Sequence, residues 1–139
     1  LFGELSRGGL VLSAVVAVIG IAAAVLVHRA GRVSLAICVA GLTSLLASPI
    51  SWSHHYVWIV PLTVVLALGA DLPRSVRWFG LVYAAWVWVA PFKALPGGDG
   101  AELLYTPTQQ LVDNLGIALG IAFVVLCGVW AWRSRPTSA

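Results

Sequence analysis

The chain has 139 residues, of which 60% are hydrophobic and only 9% charged, with a net charge of +3 and a mean hydropathy of +0.98. Water-soluble domains carry roughly 25% charged residues, so this chain cannot cover itself in water; its composition specifies an all-α integral membrane protein. The basic residues form no basic helix and no aromatic–basic interleaving, which argues against nucleic acid as a partner.

A crossing takes roughly 20 apolar residues, so the length allows about five transmembrane helices in a single transmembrane region, 1–139. The chain opens on Leu1 and holds no methionine, and reads as part of a longer protein. The first apolar run is too long for a signal peptide, lacks a clear cleavage site and is followed by further apolar runs.

A mixed lead-in with Glu4 and Arg7 precedes a first span over about 9–27, built of Ala, Val, Leu, Ile, Gly and one Ser. His28–Arg32 is a short basic loop, and a second span follows over about 33–47, about 22 Å at 1.5 Å per residue. Ser48–Pro49 reads as a helix start, because serine accepts from a free first-turn N–H and proline loses nothing at the first helical position. A third span then covers about 49–69, with Pro61 expected as a kink. After the loop Asp71–Arg77 comes an aromatic-rich fourth span over about 76–92. The segment 93–110 is the longest non-apolar stretch and contains the turn signal Pro96-Gly97-Gly98-Asp99-Gly100. Asp113 and Asn114 are expected in the first turn of a fifth span over about 111–132, where an acid suits the helix dipole. The polar residues 133–139 read as a C-terminal tail. Cys38 and Cys127 lie inside apolar runs without CxxC spacing and read as small buried hydrophobes.

Charge sets the expected orientation. With five crossings, Arg29, Arg32, Arg74, Arg77, Arg133 and Arg135 share one side, leaving Arg7 and Lys93 on the other. The positive-inside rule makes the six-arginine side cytoplasmic. If 33–70 crossed only once, the basic residues would split three to five, a poor bias, so two crossings with a turn at Ser48 are preferred. The stretch 48–55 and the loop 93–110 then both face outward.

The stretch Ser48-Pro49-Ile50-Ser51-Trp52-Ser53-His54-His55-Tyr56-Val57-Trp58 interrupts the apolar chain with polar side chains and no formal charge. A helix N-terminus favours an anion such as phosphate. His54 and His55 donate hydrogen bonds and titrate near neutral pH, Ser51 and Ser53 add hydroxyls, and Trp52, Tyr56 and Trp58 supply interfacial anchors and stacking faces. Helical neighbours point about 100° apart, so the two histidines cannot both face one ligand. Ser51 shares a face with His55, and His54 with Ile50 and Trp58. Either histidine can be the functional one, and wet interfacial side chains with belt aromatics would give the same pattern. Adjacent histidines are poorly spaced for a metal on a helix, so no metal is expected. In the outer loop Lys93, Asp99 and Glu102 are candidate contacts, a lysine suiting a lipid phosphate and carboxylates being potential acid–base groups; a solvated loop is the preferred reading of the two acids.

This stretch resembles the SPxSWxHHxxW segment of glycosyltransferase family 87, the polyprenol-phosphate-mannose-dependent α-(1→2)-mannosyltransferases. The apolar five-span context and arginine-containing tail are similar to the C-terminal third of that family. The resemblance implies part of a GT-C fold, a polytopic membrane glycosyltransferase. It would take mannose from a polyprenyl-phosphate donor to a glycolipid acceptor, such as a phosphatidylinositol mannoside or lipomannan of the cell envelope, on the outer face of the plasma membrane. It further implies that Ser51, Trp52, His54, His55 and Trp58 hold the donor phosphate or sugar and that no cofactor is needed. The catalytic base, an aspartate of an early outer loop in such enzymes, has no counterpart here, so this chain alone is expected to be inactive. The alternative is a transporter or flippase segment with a histidine-based proton or headgroup site.

Overall fold

The computed structural model describes residues 7–48, 57–96 and 104–134, and within them every regular element is helical. They are α1 (Arg7–Arg29), α2 (Val33–Ala47), α3 (Ile59–Leu68), α4 (Arg74–Val89), a 3-10 helix (Pro91–Ala94) and α5 (Pro107–Arg133). The motif residues 49–56 and the loop tip 97–103, with Asp99 and Glu102, lie outside the described residues.

The short turns 30–32 and 69–73 make α1 and α2, and α3 and α4, antiparallel neighbours. Each helix packs on the next, α5 returns to α1, and α2 also touches α5. The result is a ring of five helices with α2 and α5 in contact through its middle. The register follows from side-chain sockets. Thr43 of α2 fills the space over Gly20 of α1, and Ala23 of α1 faces Gly128 of α5. Gly80 of α4 receives Leu66 of α3 and Phe123 of α5, while the Tyr83 hydroxyl lies over Gly120 of α5 beside Leu46. A Cβ at Gly20 would stand 2.1 Å from the Thr43 Oγ1, and one at Gly80 would stand 2.6 Å from both Leu66 and Phe123. Close approach at small residues is how helices gain van der Waals contact where lipid is as apolar as the side chains.

The interior includes Leu35, Val39, Leu42, Leu62, Leu66, Tyr83, Phe123 and Cys127, all buried. Tyr83 stacks on Phe123 with ring centroids 6.2 Å apart. The outer surface is apolar too: Val18 is 68% exposed, Leu68 79% and Val89 76%. Apolar side chains on both the inside and the outside require lipid as the surrounding medium. The hydroxyls fit it by bonding their own helix, Thr43 to the Val39 carbonyl and Thr63 to that of Ile59, both at 2.7 Å.

By length and composition α1 from Gly8 and α5 are able to cross a bilayer alone. The other described helices are shorter: α2 has 15 residues, α3 has 10 and α4 has 16. Helix α2 coincides with the expected 33–47. Its end has a clear cause: the residue before a proline is driven out of the α region, and Ser48 is extended at φ −76°, ψ 126°. Ser48–Pro49 thus ends α2, whereas the helix start expected at Pro49 falls outside the described residues. Pro61 was expected as a kink inside a long span. It sits instead in the first turn of α3, where an N–H has no intrahelical partner to lose. Helix α4 starts at Arg74 and stops at Val89 because Ala90 adopts φ 49° and Pro91 follows. Helix α5 begins earlier than expected, at Pro107. Thr106 and Gln109 form a capping box there. Asp113 and Asn114 therefore lie in the second turn, and the Asn114 amide donates to the Gln110 carbonyl at 2.8 Å.

Candidate functional site

The register collects the chain's features at two ends of the bundle. At one end stand the turn 30–32, the turn 69–73 and Arg133. The Arg32 guanidinium donates to the Asp71 carboxylate across that end, joining the α1–α2 turn to the α3–α4 turn. Arg77 donates from Nε to the Leu66 carbonyl and from Nη2 to the Ala67 carbonyl, each at 3.0 Å, and so caps α3. The first turn itself follows from Gly31 at φ 78°, with Gly31 N–H bonded to the His28 carbonyl and Arg32 N–H to that of Val27. That pattern is the paired helix stop which glycine favours. Arg29, Arg32, Arg74, Arg77 and Arg133 thus share one end of the bundle, and Lys93 lies at the other.

That other end carries the candidate site. The extended Ser48 leaves α2, and the chain re-enters the described structure at Val57, ahead of α3. The 3-10 helix and the start of α5 complete the end. Its loop is closed at the base, where the Tyr105 hydroxyl donates to the Pro96 carbonyl at 2.6 Å. Lys93 is exposed in the 3-10 helix. Of the five motif residues singled out from the sequence, Ser51, Trp52, His54 and His55 fall outside the described residues, and the described residues that flank them, Ser48 and Val57, stand at this end.

Trp58 is the described member, and its ring lies against Gly41 of α2. A Cβ at Gly41 would stand 2.2 Å from the ring carbon Cδ2 and 2.5 Å from Cε2. The half-buried indole thus packs on the core, and its first structural role is to pin the end of the motif to α2. The pairing of Gly41 with Trp58 was invisible in the sequence, because only the antiparallel register of α2 and α3 brings them together.

Two tryptophans of α4 face the same half of the bundle, and the sequence marks them only as part of an aromatic-rich span. Trp88 donates its indole N–H to the Thr63 hydroxyl of α3 at 3.1 Å. Trp86 packs over Gly116 of α5, and its Nε1 is buried with no acceptor among the described residues. Among the described residues no three His, Cys, Asp or Glu side chains come together. Cys38 and Cys127 are free thiols, both buried.

Known proteins with similar sequences name the family. The chain is 38% identical over 97 residues to a polyprenol-phosphate-mannose-dependent alpha-(1-2)-phosphatidylinositol mannoside mannosyltransferase of Mycolicibacterium smegmatis, covering 67% of this chain. It is 43% identical over 108 residues, 74% of this chain, to the protein of the same name from Mycobacterium tuberculosis. The chain belongs to this mannosyltransferase family. A further relative from Mycobacterium tuberculosis, named for phosphatidylinositol pentamannoside, is 39% identical over 88 residues, covering 63% of this chain and 19% of its own length. The matches with the first two span only 21% and 24% of those relatives' length. No family model and no solved structure matches. Family membership accords with the resemblance of the 48–58 stretch.

Proposed function

We propose that this chain forms one wall of the donor site in a membrane mannosyltransferase. The whole protein would move mannose from a polyprenyl-phosphate carrier to a phosphatidylinositol-mannoside-type glycolipid. The relatives carry that donor and that acceptor class in their names. The observation that supports the reading is that the described flanks of the 48–58 stretch, Ser48 and Trp58, lie at the end of the bundle opposite the arginines, where Tyr105 closes the base of the next loop. By the positive-inside rule that end faces outward, so the five-helix part of a GT-C fold would meet its lipid-linked donor on the outer face of the plasma membrane.

In this reading His54 or His55, with Ser51, donates hydrogen bonds to the donor phosphate, and charge-assisted bonds to phosphate oxygens are the stronger kind. Trp52 lines the sugar, while Trp58 fixes the stretch to α2. Lys93 offers a cation to a lipid phosphate at the same end, with Asp99 and Glu102 as further loop contacts. Transfer to a hydroxyl needs a base to take its proton as it attacks the anomeric carbon. No residue of this chain is assigned that role, so the isolated 139-residue chain would have no transferase activity.

The test is mannose transfer from a polyprenyl-phosphate donor by the full-length protein in membranes. His54→Ala and His55→Ala should differ in severity because helical neighbours point apart, with one lowering transfer at least tenfold. Near-normal transfer by both variants would sink the phosphate-holding role. Turnover by the isolated chain would show that the base lies within it.

A further inference from the structure

From the arginine-bearing end, two apolar furrows run side by side along α2 toward the middle of the bundle. One lies between α1 and α2, about 300 Å³ in volume, walled by Ala24, Val25, Ala36 and Ala40, with His28 and Arg29 at its mouth. The other lies between α2 and α3, about 460 Å³, walled by Cys38, Pro61 and Val64, with Ser34 at its mouth. Ile37 borders both and is 54% exposed. It is the ridge between them.

We infer that these furrows form a binding site for a diacyl anionic phospholipid, its two chains straddling Ile37 and its phosphate meeting Arg29. Charge complementarity selects the headgroup. Arg29 is exposed and makes no ion pair among the described residues. The acid described at this end, Asp71, is taken by Arg32, which leaves the excess of arginine to attract an anion. The shape selects two chains, since a single-chain lipid would fill one furrow and leave the other side of Ile37 bare. The phosphate would sit at Arg29, at the end opposite Trp58, although the furrows reach along α2 and α3 as far as Ala40 and Pro61; the site does not depend on the mannosyltransferase reading.

The experiment is native mass spectrometry of the detergent-purified full-length protein with dioleoyl phosphatidylglycerol, its single-chain lyso form, and dioleoyl phosphatidylcholine. The wild type should retain the diacyl anionic lipid in preference to the other two. Arg29→Gln should lower that retention roughly fivefold, the worth of about one basic residue at a membrane surface. Arg74→Gln, at the same end but away from the furrows, should leave it unchanged. Ala40→Trp, at an exposed position, keeps every charge but fills the first furrow, and should also lower retention. Equal retention of all three lipids, no effect of Arg29→Gln, or an equal effect of Arg74→Gln would overturn the site.

Discussion

The Gly41–Trp58 contact allows a quantitative test. Gly41→Ala adds one methyl group where the ideal Cβ would stand 2.2 Å from the Trp58 ring. Glycine in a helix interior is worse than alanine by about 0.8–1 kcal/mol, so on propensity alone the substitution would stabilise α2. Overpacking acts the other way and costs about 1–3 kcal/mol when a rigid group must shift. The indole is rigid and its ring lies against the helix backbone, so the clash should win, with a net loss of up to about 2 kcal/mol. The displaced Trp58 should drag the motif with it and lower mannose transfer by the full-length protein. The assay pairs thermal unfolding in detergent with transfer, across Gly41→Ala, Trp58→Leu and the double variant. Because leucine vacates the space, Gly41→Ala should be harmless or stabilising in the Trp58→Leu background, giving a coupling well beyond the additivity error of about 0.5 kcal/mol. If Gly41→Ala matched the wild type in both stability and transfer, or if the two changes were simply additive, the pinning role of Trp58 would be refuted.

Three further outcomes follow from the contacts. Arg77→Met should cost about 1–2 kcal/mol by leaving the Leu66 and Ala67 carbonyls uncapped; Arg77→Lys should recover only part of this, since a point charge cannot reach both carbonyls as the guanidinium does. The comparison is made by thermal unfolding, with the exposed Arg74→Gln staying within about 0.5 kcal/mol of wild type. Trp86→Phe should change stability by less than about 1 kcal/mol, because its indole N–H has no acceptor among the described residues; a larger loss would point to an acceptor in 49–56 or 97–103. Cys38 and Cys127 are 2% and 0% exposed, so a maleimide should leave both unmodified in the folded protein and label both in denaturant; rapid labelling of either in the native state would contradict its burial among the helices.

Much of this protein is written in its sequence because single-residue properties suffice to read it. A 9% charge content with +0.98 mean hydropathy compels helices in lipid, and the short turns 30–32 and 69–73 pair α1 with α2 and α3 with α4. The bounds of α2 follow from the basic turn before it and from Pro49 acting on Ser48. The Thr106–Gln109 capping box was also legible, as a Thr-Pro-Thr-Gln run, although the polar pair Gln109–Gln110 drew the expected start of α5 inward to Leu111. What a residue faces is a different matter. That Trp58 lies on Gly41, that Tyr83 crosses to Gly120, that Arg77 caps α3 and that Ile37 divides two furrows all depend on register and rotation between helices. Those are set by the fit of side chains from distant parts of the chain, and an apolar run of near-uniform character carries no local signal for them. The sequence thus determined the medium and the helices; the tertiary structure decided that Trp58, among the described aromatics, packs on α2 at Gly41.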